Sequence, residues 1–522
     1  MSEGVSGPPQ GSPQGSPRGP SPDSSPRSAF QALSAQLSLG HGWWAAAALA
    51  LIWGLGPALP ALLQGQLIGQ PYTDLYPSVW GMWAFSQSGA FLPEYTQQLA
   101  APEGMPFYYS SPLHGWLAAP LMSWLGVPNT WNLGVVLARI ATVLCAFGAA
   151  RAWGLRPAGA LVAAAAFGCS PFFQGYAVEG IVEGLDGWTL ALFLWATRAR
   201  RDALAVLAFG LCLLSSWYLG AVVCLVAAML GPRAWAQGIA GLLIALPGLV
   251  AFTSFTPDLA PLAPEIRAAM GTDIALWTPG LAEGLNPFAK TSWIGFVLPI
   301  CALLAVRERP RWAAAGLVFF VLSFGVGPWF SLPPLSAIRF PYRFHAGTLV
   351  VLGGLAGWAT QRWRFGAWLA PIIVLEGLLL SPIEPILPGS PADLDPAYTE
   401  LEGQVLLDLP GPIAVPPGEI NRSRARARWF LYQQVGHGMG TPWAPDFNNV
   451  GVATQDGLDS LRALDPLSKQ PLPAALDIPA SVNWIVLHPD ELHGRSSDAE
   501  RLLQEAGWHR VRSGERELWA PR

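Results

Sequence analysis

Three short stretches of this chain hold side chains that could do acid–base chemistry beside a phosphate. QPYTDLYPSVWGMWAF carries Asp74, SPFFQGYAVEGIVEGLDGW carries Glu179, Glu183 and Asp186, and SLPPLSAIRFPYRFH carries Arg339, Arg343 and His345. A carboxylate can take the proton of a hydroxyl, and a guanidinium presents paired N–H donors to phosphate oxygens. Glu179 and Glu183 stand at i and i+4, so a helix would put them on one face. Plainer readings stand beside these. Asp74 and Asp186 can cap the helices that follow them, and Arg339 and Arg343 can anchor a span by reaching lipid headgroups. His114, in SSPLHGWLAAPLMSWLG, and His345 are more often packing residues than catalysts.

The elements that must position these groups are membrane spans. Of the 522 residues, 52% are hydrophobic and only 12% charged, too few polar groups to coat a soluble protein of this size. Apolar runs recur from Trp43 to Leu380. They place spans at 42–63, 131–151, 157–173, 186–200, 203–216, 217–231, 236–253, 292–306, 311–330, 344–360 and 366–382, about eleven in all. Arginines fall in alternate gaps: Arg151 and Arg156; Arg198, Arg200 and Arg201; Arg233; Arg307, Arg309 and Arg311; Arg362 and Arg364. Positive charge marks the cytoplasmic side, so the N-terminus lies in and the C-terminus out. Residues 112–126 then read as a helix lying on the outer surface, and 203–231 as either one long helix or two folded at SSWY. Arg139, inside the second span, is a buried charge that needs a partner or a function.

Residues 1–38, rich in Pro, Gly and Ser, are expected to be a disordered cytoplasmic tail, 39–382 the multi-span membrane domain, and 383–522 a soluble α/β domain outside. In that domain QVLLDLP and VNWIVLHP have the look of buried strands. RARARWFLYQQVG, QDGLDSLRAL and SDAERLLQEAG have helical spacing. All five cysteines lie in apolar runs without metal-type spacing, and the net charge of −4 gives no case for nucleic acid. The fold class expected is mainly α, a polytopic membrane protein with a small α/β C-terminal domain.

This arrangement resembles the GT-C superfamily of membrane glycosyltransferases, which transfer sugars from polyprenyl-phosphate donors at the outer face of the bacterial cytoplasmic membrane. The resemblance covers most of residues 42–382. It rests on an Asp soon after the first helix (Asp74), on Ser110–Gly126 as the surface helix, and on acids in the second outer loop (Glu179, Glu183). It also takes in RFPYRFHAGTLVVLGGLAG and YQQVGHGMGTPW, which look like pieces of uncharacterised bacterial members with a periplasmic C-terminal domain. The resemblance implies Asp74 as catalytic base and Glu179 and Glu183 as acceptor- or metal-binding residues. Arg339, Arg343 and His345 would sit at the donor phosphate, with His114 and Asp186 as further candidates. A divalent cation is left open as cofactor, since neither loop holds a clean Asp-x-Asp or Asp-x-Glu. The partners implied are membrane lipids, the lipid-linked sugar donor and an acceptor of unspecified class.

Two other classes compete. A transporter would show internal repeats, and none is evident; a non-catalytic or degenerate scaffold would use the outer domain for binding. Convergence of Asp74, Glu179 or Glu183, and Arg339 or Arg343 on one outward cavity separates the enzyme from both.

Overall fold

The structure is a computed structural model, and it describes residues 42–522 except 72, 93–94, 108, 256–262, 278–289, 333–334, 399–400, 413–421 and 444–457. The expected N-terminal tail, 1–38, lies wholly outside the described residues. The chain is mainly helical with a small sheet near its end. The helices are α1 (Gly42–Leu55), α2 (Leu75–Gln87), α3 (Pro112–Leu125), α4 (Val127–Ala152), α5 (Pro157–Gly168), α6 (Pro171–Val178), α7 (Gly187–Arg198) and α8 (Asp202–Ser215). They continue as α9 (Trp217–Leu230), α10 (Pro232–Phe255), α11 (Val297–Leu303), α12 (Pro310–Ser323), α13 (His345–Thr360) and α14 (Leu369–Leu380).

Only three helical stretches among the described residues are long and apolar enough to cross a membrane by themselves: Val127–Ala152, Pro157–Val178 and Pro232–Phe252. Of the about eleven spans expected, these three are the ones that helix length among the described residues bears out. The reason is local. Gly56 and Pro57 end α1, and the 292–306 run forms a helix only over Val297–Leu303. Residues 203–231 are two helices. Ser216 is extended between them (φ −166°) and its hydroxyl accepts from the Leu219 N–H as an N-cap. Residues 112–125 are helical, with Trp124 and Leu117 exposed.

The alternate-gap arginines gather at one end of the bundle. Arg156 N–H donates to Gln361 Oε1 (2.9 Å), Arg362 pairs with Glu308 (2.6 Å) and Arg309 lies 4.6 Å over the Trp358 ring. Arg198 lies over Trp153, which meets Trp312 edge-on at 4.9 Å. Arg233 pairs with Asp202 (2.7 Å). Successive helices thus run alternately away from and toward this basic end. Tryptophans at the same level are the usual interfacial anchors.

Arg139 acquires an account. Its Nη2 and Nε donate to the Trp53 carbonyl (2.8 and 3.3 Å) and Nη1 to Gln174 Oε1 (2.7 Å), with the guanidinium 4.8 Å over the Trp53 ring. Gln174 Nε2 in turn donates to the carbonyls of Glu384 and Pro385 (3.0 and 3.1 Å). The cation therefore sits at the negative C-terminal end of α1 and ties α1, α4, α6 and the segment after α14 together.

After α14 the chain returns across the carboxylate-bearing end. Strand β1 (Leu67–Ile68) pairs antiparallel with β2 (Gly389–Ser390), and Trp131 and Asn132 of α4 hold β1 from below through hydrogen bonds to Ile68 and Gln66. The C-terminal unit has a four-stranded sheet, β3 (Leu406–Leu409), β4 (Trp484–Leu487), β5 (Trp508–Arg512) and β6 (Glu517–Pro521), in the order β3-β4-β6-β5. β3 and β4 are parallel and the other pairs antiparallel. Helix α15 (Arg422–His437) and helix α16 (Ser496–Glu505) accompany it. Leu407, Leu409, Ile485 and Leu487 pack on one face with Leu502 and Leu503. Leu406, Val486 and Leu518 pack on the other with Tyr398 and Met439. Burial on both faces is why QVLLDLP and VNWIVLHP are continuous apolar runs.

Arg139→Ala should lower stability by about 3 kcal/mol, because it empties a buried volume and leaves the Trp53 carbonyl and Gln174 unsatisfied. Arg139→Lys should recover little of it, since a point charge cannot fork to two acceptors. Thermal unfolding of the detergent-solubilised protein reads both, and full rescue by lysine would contradict the clamp.

Candidate active site

Asp74 stands at the N-cap position of α2, where its carbonyl accepts from the Ser78 N–H (2.9 Å), but its carboxylate makes no capping bond. The capping reading of Asp74 is thus not realised. Oδ1 instead accepts from Arg428 Nη2 of α15 at 2.8 Å, and the Asp74 side chain keeps 43% of its surface exposed.

The turn after α6 brings Glu179 to the same place. The Asp74 N–H (3.1 Å) and Thr73 Oγ1 (2.7 Å) both donate to the Glu179 carbonyl. Gly180 makes the approach feasible: φ is +63°, and a Cβ there would lie 2.4 Å from the Leu75 Cα. Burial, together with the Asp74 and Glu384 carboxylates, pushes the Glu179 carboxyl up to about 7, against the opposing pull of Arg428 and Lys290. Three carboxylates and two cations therefore share one field at this end of the bundle.

Four residues on, Glu183 points elsewhere. Its carboxylate pairs with Arg343 Nη1 at 2.8 Å, and that guanidinium is enclosed by aromatic rings: Tyr218 at 4.0 Å, Phe340 at 5.0 Å, Tyr176 at 5.7 Å and Tyr342 at 5.8 Å. The sequence expectation of one helical face for Glu179 and Glu183 fails because α6 ends at Val178 and Glu183 lies in a separate 3-10 turn, Val182–Gly184. Arg343 is spent on Glu183 and its cage. Arg339 lies near enough to bear electrostatically on Tyr218, is half-buried, and has no ion pair among the described residues.

The remaining candidates stay apart from the carboxylates. His345 is fully buried against Phe172 (5.9 Å), with neither ring nitrogen partnered. His114 packs on Trp131 and against Gly134 of α4. Asp186 is buried at the start of α7, where Oδ1 accepts from Trp188 Nε1 (2.9 Å) and no side-chain cap forms. Among the described residues no three His, Cys, Asp or Glu side chains gather as metal ligands.

Sequence reasoning missed Arg428 and Lys290. RARARWF read only as a helix of the outer domain. The available signal was density of charge: Arg422, Arg424, Arg426 and Arg428 on a helix that also carries Trp429, Phe430 and Leu431. Arg426 pairs with buried Asp465 and with Glu491 (3.3 Å), Arg422 with Glu491 (3.0 Å), and Arg428 with Asp74 (2.8 Å).

No family model matches the chain, and no curated protein sequence matches it. Among solved structures, it is similar to the arabinofuranosyltransferase AftD from mycobacteria, at 17% identity and a TM-score of 0.55 over 92% of this chain and 39% of that one. An R1389S mutant of AftD gives 17% identity and a TM-score of 0.53, over 92% and 41%. Looser likenesses include ArnT from Cupriavidus metallidurans bound to undecaprenyl phosphate, at 15% identity and a TM-score of 0.43 over 91% of this chain and 96% of that one. The chain spans about two fifths of the length of AftD, and at this identity the likeness is one of fold.

Glu179→Gln tests the electrostatics. A carboxyl whose pKa is raised on folding binds more protons in the native state, so its contribution is complete below the unfolded value near 4.5 and disappears as pH rises through about 7. The parent should lose on the order of 3 kcal/mol across that window, and the Gln variant should lack that part of the decline. Parallel melting curves from pH 5 to 8 would contradict this. Separately, Glu183→Ala strands the buried Arg343 charge and should cost about 3 kcal/mol, whereas joint replacement by Leu and Met should recover most of it. Chemical denaturation in detergent compares the three.

The helix bundle with its carboxylate-bearing end therefore has the fold seen in the arabinofuranosyltransferase AftD.

Proposed function

We propose that the chain is a glycosyltransferase that moves a sugar from a polyprenyl-phosphate donor to an acceptor hydroxyl, with Asp74 as base. The observation that carries this reading is a half-exposed carboxylate at a helix start, uncapped, facing a second carboxyl and two cations in a GT-C fold.

The chemistry asks little of the protein. The donor already carries a good leaving group. Asp74 takes the acceptor's proton while the acceptor oxygen attacks the anomeric carbon, and the bond from that carbon to the phosphate oxygen breaks. Negative charge then grows on the departing lipid phosphate, and a preorganised cation lowers its energy. Arg339 fits that part better than Arg343, whose guanidinium already serves Glu183. Arg343 acts instead as a positioning residue for the Glu183 turn. Lys290 is a second cation within the field of Glu179. A donor whose tail stays in the bilayer also explains why these groups sit at one end of a helix bundle. On the charge asymmetry that end faces the periplasm, with the C-terminal unit outside the cytoplasmic membrane.

The Asp74–Arg428 pair favours a second reading, in which the C-terminal unit latches the site shut. One experiment addresses both: transfer of labelled sugar from polyprenyl-phosphate donors by purified protein. Asp74→Asn should lower kcat by at least about 100-fold. Turnover by the Asn variant at the parent rate would sink the base assignment. Arg428→Gln should lower turnover if the guanidinium orients Asp74, and raise it if α15 is a latch.

A further inference from the structure

A cavity of about 440 Å³ lies at the basic end of the bundle. It is bounded by the last turns of α7 and α9, the first turns of α12 and the middle of α13. We propose that it binds one anionic phospholipid from the leaflet on that side, with the phosphate on Arg309 and Arg311 and an acyl chain lying along α12.

The mouth is cationic. Arg309 and Arg311 are exposed and neither has an ion pair among the described residues. The one carboxylate in the lining, Glu308, is already engaged by Arg362, with both oxygens accepting at 2.6 Å. The Trp358 ring, 4.6 Å beneath the Arg309 guanidinium, steadies that cation without neutralising it. A doubly basic, acid-depleted rim selects an anion.

Behind the rim the wall is apolar. Trp153 and Trp312 frame it and mark headgroup depth, while Phe319, fully buried, closes the floor. Arg311 to Phe319 is eight residues of helix, about 12 Å, close to the ~15 Å of hydrocarbon in one leaflet. Met229, 43% exposed, stands on the lipid-facing flank between α9 and α12. A phosphate at the rim and a chain in the slot is the occupant that satisfies both parts, and anionic lipid is what a basic end at a membrane surface draws. A soluble phosphate would satisfy the rim alone.

The test uses the full chain, purified in detergent and delipidated, with phosphatidylglycerol titrated in and bound lipid counted by native mass spectrometry. One tightly held phosphatidylglycerol is expected and no equivalent for phosphatidylcholine. Arg309→Gln with Arg311→Gln should weaken binding by about 30-fold, and Arg307→Gln, outside the lining, should not. Ala315→Phe, which fills the slot and keeps both arginines, should also abolish retention. Gel filtration checks that each variant is folded. Parent-like binding by the double variant or by Ala315→Phe overturns the proposal. So does a thermal shift from sn-glycerol 3-phosphate equal to that from the lipid, which would make the ligand a soluble phosphate.

Discussion

The contact between α2 and α15 is the constraint on which the candidate site depends. Asp74 pairs with Arg428 at its head, the Tyr76 and Tyr432 rings stack at 5.0 Å one step on, and Trp80 Nε1 donates to Gln434 Oε1 (2.7 Å) a turn later. Gln434 Nε2 then reaches the Gln98 carbonyl, and Thr441 and Trp443 bond the backbone at Gln98, Ala100 and Ala101. Leu431 and Tyr432 of α15 lie in the same apolar cluster as the membrane helices. The C-terminal unit is therefore a wall of the site, and Asp74 has the surroundings described only while that wall is docked.

Beneath this wall the bundle separates its charges by end. Asp74, Glu179 and their counter-cations occupy one end; most of the loop arginines, two of them paired with Asp202 and Glu308, occupy the other. Arg139, a cation buried between them, is satisfied by a helix-terminal carbonyl and an amide, not by an acid. A buried charge held this way escapes much of its desolvation cost through fixed dipoles. It also links the frame to the site, because Gln174, which Arg139 holds, lies on α6 five residues before Glu179.

What could be read from the chain followed from burial and charge counts. The alternate-gap arginines meet at one end because each loop is short and the helices between them alternate in direction. The strands at 406 and 484 were legible because two-sided burial leaves a continuous apolar run, whereas 203–231 allowed one helix or two until the Ser216 cap divided them. Asp74 and Glu179 were legible as residue types, but their meeting depends on Gly180 and on backbone bonds between segments 105 residues apart. Arg428 lies 354 residues from Asp74, and nothing local in RARARWF says which arginine turns toward the membrane. The turn that sends Glu183 to Arg343 was hidden for the same reason: an i, i+4 spacing predicts a shared face only where the helix continues. The hairpin of β5 and β6, whose GWHRVRSGERELWAP mixes charge with aromatics, has little of the alternation that marks a half-buried strand.

Helices α8, α9 and α12 have 14 residues each, and α14 has 12. At 1.5 Å per residue they reach about 20 Å, against about 30 Å of hydrocarbon in an ordinary bilayer. To cross a bilayer on helices of this length, the lipid around these sides would have to compress or the polar flanks stretch outward. A compressed annulus carries phosphate groups several ångströms deeper than the surrounding bilayer does. Short helices of this kind would shape their own solvent, shortening the distance a lipid-borne headgroup travels before it meets a side chain below the ordinary interface.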